Sequence, residues 1–306
     1  MRKLYAISEG KIIEVTDEIG CVVEAYFQPT IEEKKVLIEK YQIDEHTLNS
    51  ALDPDELPRV EQEQNHWALI VKKPKNYSAY DEYHFKIVSI GIFLFSGKVI
   101  IVSNEQTTLF SQKPQIALIS PPDVVLRVIY NCISHFVEHL KIINLVAEEV
   151  ETKINRSLEN KYLINLFALE KSLVYYLNAI HGNGLILTKL RASAERIGFS
   201  QEGKEFLDDL IVDNEQCLKV ADIHSTVLSN LMDARASIVS NNLNVLMKIL
   251  NIITIALMVP TFIVSLFSMN VPIPFQHYPI TFYAILVSCV ISAIIVLLIF
   301  FRYKEM

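Results

Sequence analysis

The sequence predicts an α+β cytoplasmic domain, a long α-helical stalk and a C-terminal hairpin of two transmembrane helices. Three observations carry that prediction. Short β-prone runs fill the first third of the chain, and helical patterns fill the rest, an order that argues for α+β rather than a wound α/β sheet. After Gly203 there is no further glycine, and no proline until Pro260. Finally, 53 residues between Lys248 and Arg302 contain no Asp, Glu, Lys or Arg.

Composition narrows the function classes. The chain has 306 residues, 51% of them hydrophobic, and a mean hydropathy of +0.29. Setting Arg302, Lys304 and Glu305 aside from the total charge of −7 leaves −8 on residues 1–248. An acidic domain is poorly suited to nucleic acid and well suited to sensing cations. Cys21, Cys132, Cys217 and Cys289 form no CxxC pair, so neither a disulfide framework nor a structural zinc site is expected. With eight glycines, no glycine-rich phosphate loop and no nucleophile–base arrangement, the expectation is a protein that is not an enzyme and holds no organic cofactor.

The first segment, residues 1–120, reads as mixed α/β. Lys3–Ile7, Lys11–Val15 and Cys21–Tyr26 are β-prone runs separated by turns around Gly10 and Gly20. Thr30-Ile-Glu-Glu33 is a capping box that opens a helix through about Tyr41, and a short helix follows Asp44. Arg59–Gln62, Trp67–Val71, Phe85–Phe95 and Lys98–Ser103 are further strands. Residues 121–203 read as a helical bundle. There Ile129, Ile133, Phe136, Leu140, Ile143, Ala147, Val150 and Ile154 repeat by fours and threes, a stripe for lengthwise packing on other helices. A helix over about Lys161–Ile180 is expected to break or turn at His181-Gly-Asn-Gly184 before Leu185–Ile197, and Gly198 and Gly203 mark the next break.

Glu205–Met269 then reads as one helix of about 65 residues, roughly 100 Å long at 1.5 Å per residue. Its part in 204–248 is the stalk, and 249–269 is the first span. A second span follows at 280–301, each being long enough for a bilayer core of roughly 20 apolar residues. The N-terminus carries no apolar stretch suited to a signal peptide, and Lys248, Arg302 and Lys304 flank the spans while the loop 270–279 is uncharged. The positive-inside rule therefore places both termini, with the basic tail 302–306, in the cytoplasm of a cell bounded by that membrane.

The first span is not uniformly apolar. Asn244, Met247, Asn251, Thr254, Met258, Thr261, Ser265 and Ser268 are spaced 3, 4, 3, 4, 3, 4, 3 and share one helical face. Such a face either packs against another helix or lines a water-filled pore, and periodicity leaves both open. Helical steps back from Asn244 add Ser240, Ser237 and Asp233; around a pore, Asp233 would make an acid ring that attracts cations.

Other candidate groups are weaker. His135 and His139 are one turn apart, a spacing that suits a metal, but Phe136 and Leu140 share the helix and no third ligand is placed. His181 and His277 read as loop residues. The acids Glu205, Asp208, Asp209, Asp213 and Glu215 at the stalk's start either complement the helix dipole or offer a low-affinity site for a hard cation.

The stretch Asn241-Asn-Leu-Asn-Val-Leu-Met-Lys248, with Leu250, Met258-Val-Pro-Thr-Phe262 and Phe267-Ser-Met-Asn270, resembles the pore helix of the CorA magnesium transporter family, the two-transmembrane "GMN" group. Pro58-Arg-Val-Glu61 ahead of the Trp67 strand is similar to the family's N-terminal domain, and the order of parts matches throughout. The resemblance implies a funnel-shaped homopentamer in the plasma membrane, with the first span of each subunit around a central pore. It implies that Asn244, Met247, Leu250, Met258 and Thr261 occupy pore positions and Asp233 an acidic position near the cytoplasmic entrance. It further implies a selectivity filter at Ser268, Met269 and Asn270, transport of Mg²⁺ driven by membrane potential, and gating by cytoplasmic Mg²⁺. The nearest match to the gating carboxylates is Asp208, Asp209 and Asp213. The sequence departs from the family in Ser268 for glycine, Phe267 for the usual Tyr, and an external loop without acids. Glycine grants close approach or positive φ that serine does not, so the expected alternatives are Co²⁺, Ni²⁺ or Zn²⁺ transport in either direction, or a non-conducting coiled-coil sensor or scaffold.

Overall fold

The structure, a computed structural model, describes residues 1–8, 10–18, 20–77, 83–106, 109–110, 119–156, 160–270, 278 and 280–304. The connector residues 271–277 and Pro279, His277 among them, lie outside the described residues. The chain falls into two compact units, Met1–Met232 and Asp233–Met306.

The first unit is built on a seven-stranded sheet. Its strands are β1 (Arg2–Ser8), β2 (Lys11–Val15), β3 (Val23–Phe27), β4 (Arg59–Gln62), β5 (His66–Pro74), β6 (Ile87–Phe95) and β7 (Val99–Ser103). They lie in the order β2-β1-β3-β7-β6-β5-β4, with β3 and β7 parallel and the other pairs antiparallel. The central strand β7 is buried along its whole length, which is why Val99-Ile-Ile-Val102 shows no polar alternation. Ile100 and Val102 join Leu37, Leu48, Ala51 and Phe93 in one core, while Val99 and Ile101 join Ile129, Ile133 and Phe136 in the other.

Helices α1 (Ile31–Tyr41) and α2 (Glu45–Leu52) supply the first of those cores. The capping box forms: the Glu33 N–H donates to Thr30 Oγ1 at 3.2 Å and the Thr30 N–H to Glu33 Oε2 at 2.8 Å. Asp44 caps α2 by accepting from the Thr47 N–H at 2.9 Å. On the other side of the sheet, α3 (Pro121–Arg156) buries Ile129, Ile133, Phe136, Leu140, Ile143 and Val150, the heptad row expected from their spacing.

Two glycine readings need correction. The helix α4 runs unbroken from Asn160 to Ala192, straight through His181-Gly-Asn-Gly184, so His181 is an exposed helix residue rather than a loop one. Neither glycine there serves a turn. A Cβ on Gly182 would come 2.5 Å from Pro58 Cγ, and one on Gly184 would come 2.9 Å from Asn214 Nδ2. The missing side chains allow neighbouring elements to approach α4. Gly203 likewise sits within the first turn of α6 and accepts the Ser200 cap, its N–H donating to Ser200 Oγ at 3.0 Å. The break falls at Gly198, whose φ of 86° ends the short α5 (Ala194–Ile197).

The helix α6 spans Gln201–Phe267 without interruption, 67 residues with Pro260 inside. Its early residues Phe206, Leu207, Leu210, Cys217, Ala221 and Leu228 belong to the first unit's core. Within the second unit the remainder of α6 is accompanied by α7 (Ile280–Lys304). Both helices are long and apolar enough to cross a membrane, with mean hydropathies of 2.3 and 2.9 over their most apolar windows.

Candidate functional site

The pairing of α6 with α7 decides which side of α6 is free. Between residues 250 and 264 the half-buried positions of α6 are Ile252, Ala256, Val259, Pro260 and Ile263. On α7 they are Thr281, Ile285, Cys289, Ser292, Ala293, Val296 and Phe300. Both sets recur at helical spacing, and the Cys289 thiol donates to the Pro260 carbonyl at 3.7 Å, so these two rows face each other.

The polar stripe lies elsewhere. Ser237, Ser240, Asn244, Met247, Asn251, Thr254, Met258, Thr261 and Ser265 are all exposed, as are Asp233 and Leu250. At 3.6 residues per turn the stripe is centred about half a turn from the row that α7 covers. Packing within the hairpin therefore does not account for it, which removes one form of the helix-interface reading. Leu250 falls on the same side as the stripe.

The two threonine hydroxyls on this face share a geometry. Thr254 Oγ1 donates to the Leu250 carbonyl at 2.8 Å, and Thr261 Oγ1 donates to the Leu257 carbonyl at 2.7 Å. The Thr261 bond lies beside Pro260, which has no N–H to offer the Ala256 carbonyl. Each of these two threonine hydroxyls spends its proton on its own backbone, so the oxygen has only lone pairs left to offer. Acceptor oxygens suit the outward-pointing hydrogens of a hydrated cation. The carboxamides of Asn244, Asn251 and Asn270 add further acceptors, while Met247, Leu250 and Met258 are apolar.

The helix ends at Phe267, and Ser268, Met269 and Asn270 follow as exposed residues. Ser268 shows no positive φ; among the described residues only Gln28 and Gln42, besides glycines, do so. Its N–H and its hydroxyl both donate to the Ser265 carbonyl, at 3.3 and 3.0 Å. Serine therefore fits this backbone and adds a cap that glycine lacks.

The stalk-start acids do not converge within one chain. Asp208 is held by Arg191, whose Nε and Nη2 donate to Oδ1 and Oδ2 at 2.5 and 3.0 Å. Asp209 and Asp213 are exposed, and among the described residues no group of three or more His, Cys, Asp or Glu side chains is placed to hold a metal. His135 and His139 stand with ring centroids 4.3 Å apart, and His139 Nδ1 lies 2.8 Å from the Tyr176 hydroxyl. Burial, with Lys73 nearby, pushes them down to about 3 and about 4, so the pair is neutral in the core.

Sequence reasoning missed two buried polar centres in the first unit. Glu24 on β3 accepts from Tyr41 at 2.7 Å, Tyr26 at 2.8 Å, Arg2 at 2.8 Å and Lys98 at 2.5 Å. Burial alone would raise its pKa, but the hydrogen bonds from Lys98, Tyr41, Tyr26 and Arg2 outweigh that and hold it at about 2. Lys72 on β5 donates to the Pro54 carbonyl and to Ser89 Oγ, both at 2.7 Å; burial lowers it to about 8 against the pull of Asp53, Asp55 and Glu56. The available signal was the one charge in β3 for Glu24, and for Lys72 a lysine pair closing the apolar run of β5.

Comparison with known proteins gives consistent findings. A family model described as CorA-like Mg²⁺ transporter protein matches residues 25–302. The chain is 26% identical to the cobalt/magnesium transport protein CorA of Methanocaldococcus jannaschii, over 97% of this chain and 95% of that one. Its fold resembles the complete structure of the CorA magnesium transporter from the same organism, with a TM-score of 0.84 at 22% identity, covering 99% of this chain and 98% of that one. It also resembles the full-length CmaX protein, with a TM-score of 0.70 at 16% identity over 99% and 97% of the two chains. The ZntB cytoplasmic domain from Vibrio parahaemolyticus covers 78% of this chain and 98% of its own length at a TM-score of 0.60 and 13% identity. At such identities the structural matches speak for the fold alone.

Proposed function

This chain belongs to the CorA-like Mg²⁺ transporter protein family, whose members are membrane transporters, and from that premise we propose a specific route and mechanism for the divalent cation. The cation is Mg²⁺, and it passes with its water shell along a pore lined by the polar face of α6 in a homopentamer. The observation that carries this reading is the position of that face, turned away from α7 and exposed in the single chain. Five copies arranged around an axis give such a face water to meet.

The chemistry follows from the ion. Mg²⁺ is small and dehydrates reluctantly, so a filter works best by binding its water. A ring of Asn270 carboxamides at the outer mouth accepts hydrogen bonds from that shell, next to Ser268 and Met269, and Asn244 repeats the arrangement deeper in. Thr254, Thr261 and Ser265 supply oxygens between them. Rings of Leu250 and Met258 are apolar constrictions that close by dewetting. At the cytoplasmic end Asp233 concentrates cations, with Ser237 and Ser240 above it. Transport is driven by the membrane potential, with both termini cytoplasmic and the loop 270–279 outside.

Cytoplasmic Mg²⁺ also regulates the flux. Asp209 and Asp213 are exposed, and Asp208 is already paired with Arg191, so a closed regulatory site needs carboxylates from a neighbouring subunit. Bound ions there would restrain the stalks, and their loss would release them. The test is uptake of Mg²⁺, Co²⁺, Ni²⁺ and Zn²⁺ into reconstituted vesicles. Mg²⁺ flux in the unmodified protein and none in Asn270→Ala supports the filter; equal flux in both contradicts it.

A further inference from the structure

The Gly182–Asn183–Gly184 turn of α4 has a placement that the ion path does not require. Asn183 is 1% exposed; its Oδ1 accepts from the Lys72 N–H at 2.9 Å and its Nδ2 donates to the Lys72 carbonyl at 2.8 Å. One side chain thereby continues the ladder where β4 has ended. Arg59 of β4 pairs with Ile70, and Lys72 lies two residues further along β5. Gly182 rests against the Pro58 ring immediately before β4, with room for no side chain.

The same turn is fastened on a second side. Asn214 of α6, 3% exposed, donates from Nδ2 to the Ile180 carbonyl at 3.0 Å. Gly184 makes that approach possible, since its own Cβ would meet Asn214 Nδ2 at 2.9 Å. Five residues of α4 thus hold the β4–β5 edge by one buried carboxamide and α6 by another. Breaking either strands a desolvated polar group, and packed interiors pass displacement on rather than absorb it. A shift of the sheet edge therefore moves α6 or breaks a buried hydrogen bond.

We propose that the Gly182–Asn183–Gly184 turn is a transmission joint, carrying displacement of the β4–β5 edge into α6, and that cytoplasmic Mg²⁺ controls transport through it. The second clause rests on the function proposed above. The joint is defined by two brackets on one turn, and its evidence is energetic coupling between them.

Full-length Asn214→Ala, Gly184→Ala and the double variant, reconstituted in vesicles, provide the test. Asn214→Ala leaves the Ile180 carbonyl its own helical N–H partner, so the fold is retained. Hydrogen exchange at Lys72, which neither substitution touches, should quicken by about fivefold, the equivalent of roughly one lost hydrogen bond. The cytoplasmic Mg²⁺ concentration that half-inhibits flux should shift by a similar factor with maximal flux unchanged. The double variant should do no more than the larger single effect. Unchanged Lys72 exchange overturns the joint; quickened exchange with an unchanged Mg²⁺ response overturns its role in control. Absence of Mg²⁺-inhibited flux in the unmodified protein overturns the proposed function instead, and the exchange measurement still decides the joint.

Discussion

At the scale of single residues, buried neutrality and buried charge both lose their contribution to stability on acidification, in successive windows. His135 and His139 are depressed from the ordinary 6.5 to about 3 and about 4, chiefly by burial. The unfolded chain binds those protons first, so their contribution is complete above about 6.5 and is lost as pH falls toward 4. Glu24, held at about 2, contributes fully above about 4.5 and loses that contribution between about 4.5 and 2. Thermal unfolding in detergent should therefore weaken in two stages on acidification. A His135→Gln, His139→Phe variant should flatten the upper stage, and Glu24→Gln the lower one. A single stage unaffected by either change would contradict these assignments. Glu24 was legible in principle, being the one charge in Val22-Val-Glu-Ala-Tyr-Phe27, but its four partners come from β1, α1, β3 itself and the residue just before β7, and no local pattern reveals them.

Elements were most readable where one periodic signal dominated. The α1 capping box, the α3 heptad row and the charge-free hairpin each follow from spacing that tertiary context does not override. The misreading of α4 has a clear cause. Glycine marks either a special φ or a close approach, and sequence does not distinguish them; at 182 and 184 it is the approach of Pro58 and Asn214. Replacing a mid-helix glycine with alanine usually gains up to about 1 kcal/mol. Gly182→Ala should instead cost about 1–3 kcal/mol, because its Cβ meets the rigid Pro58 ring at 2.5 Å. A raised melting temperature for Gly182→Ala would show that α4 does not press on Pro58.

For the whole molecule, the family and the two spans were legible because apolar length and the Ser268-Met-Asn270 region are local features. The meaning of the polar stripe was not, since spacing alone fits a helix interface and a pore equally. The position of α7, which covers Ile252, Ala256, Val259, Pro260 and Ile263 and leaves the stripe free, removes packing within the hairpin as the explanation of that stripe. The first unit likewise exposes Ile164, Phe167 and Leu185 of α4 and Val212, Ile223 and Val227 of α6. Apolar surface of that kind is a mark of association. Mass measurement in mild detergent should return about five chains of 35.0 kDa; a monomer at micromolar concentration would remove the shared pore.

The ion path can be tested by placing one bulky side chain on each side of the same helix turn. Thr261 belongs to the exposed polar face, and Ile263 to the row beneath α7. Influx of Mg²⁺ into reconstituted vesicles, reported by an enclosed dye, would be compared for Thr261→Leu and Ile263→Leu. A path along the polar face predicts that Thr261→Leu leaves less than about a tenth of the flux by closing an apolar ring, while the volume-conserving Ile263→Leu stays within about twofold. Unimpaired flux through Thr261→Leu would contradict it.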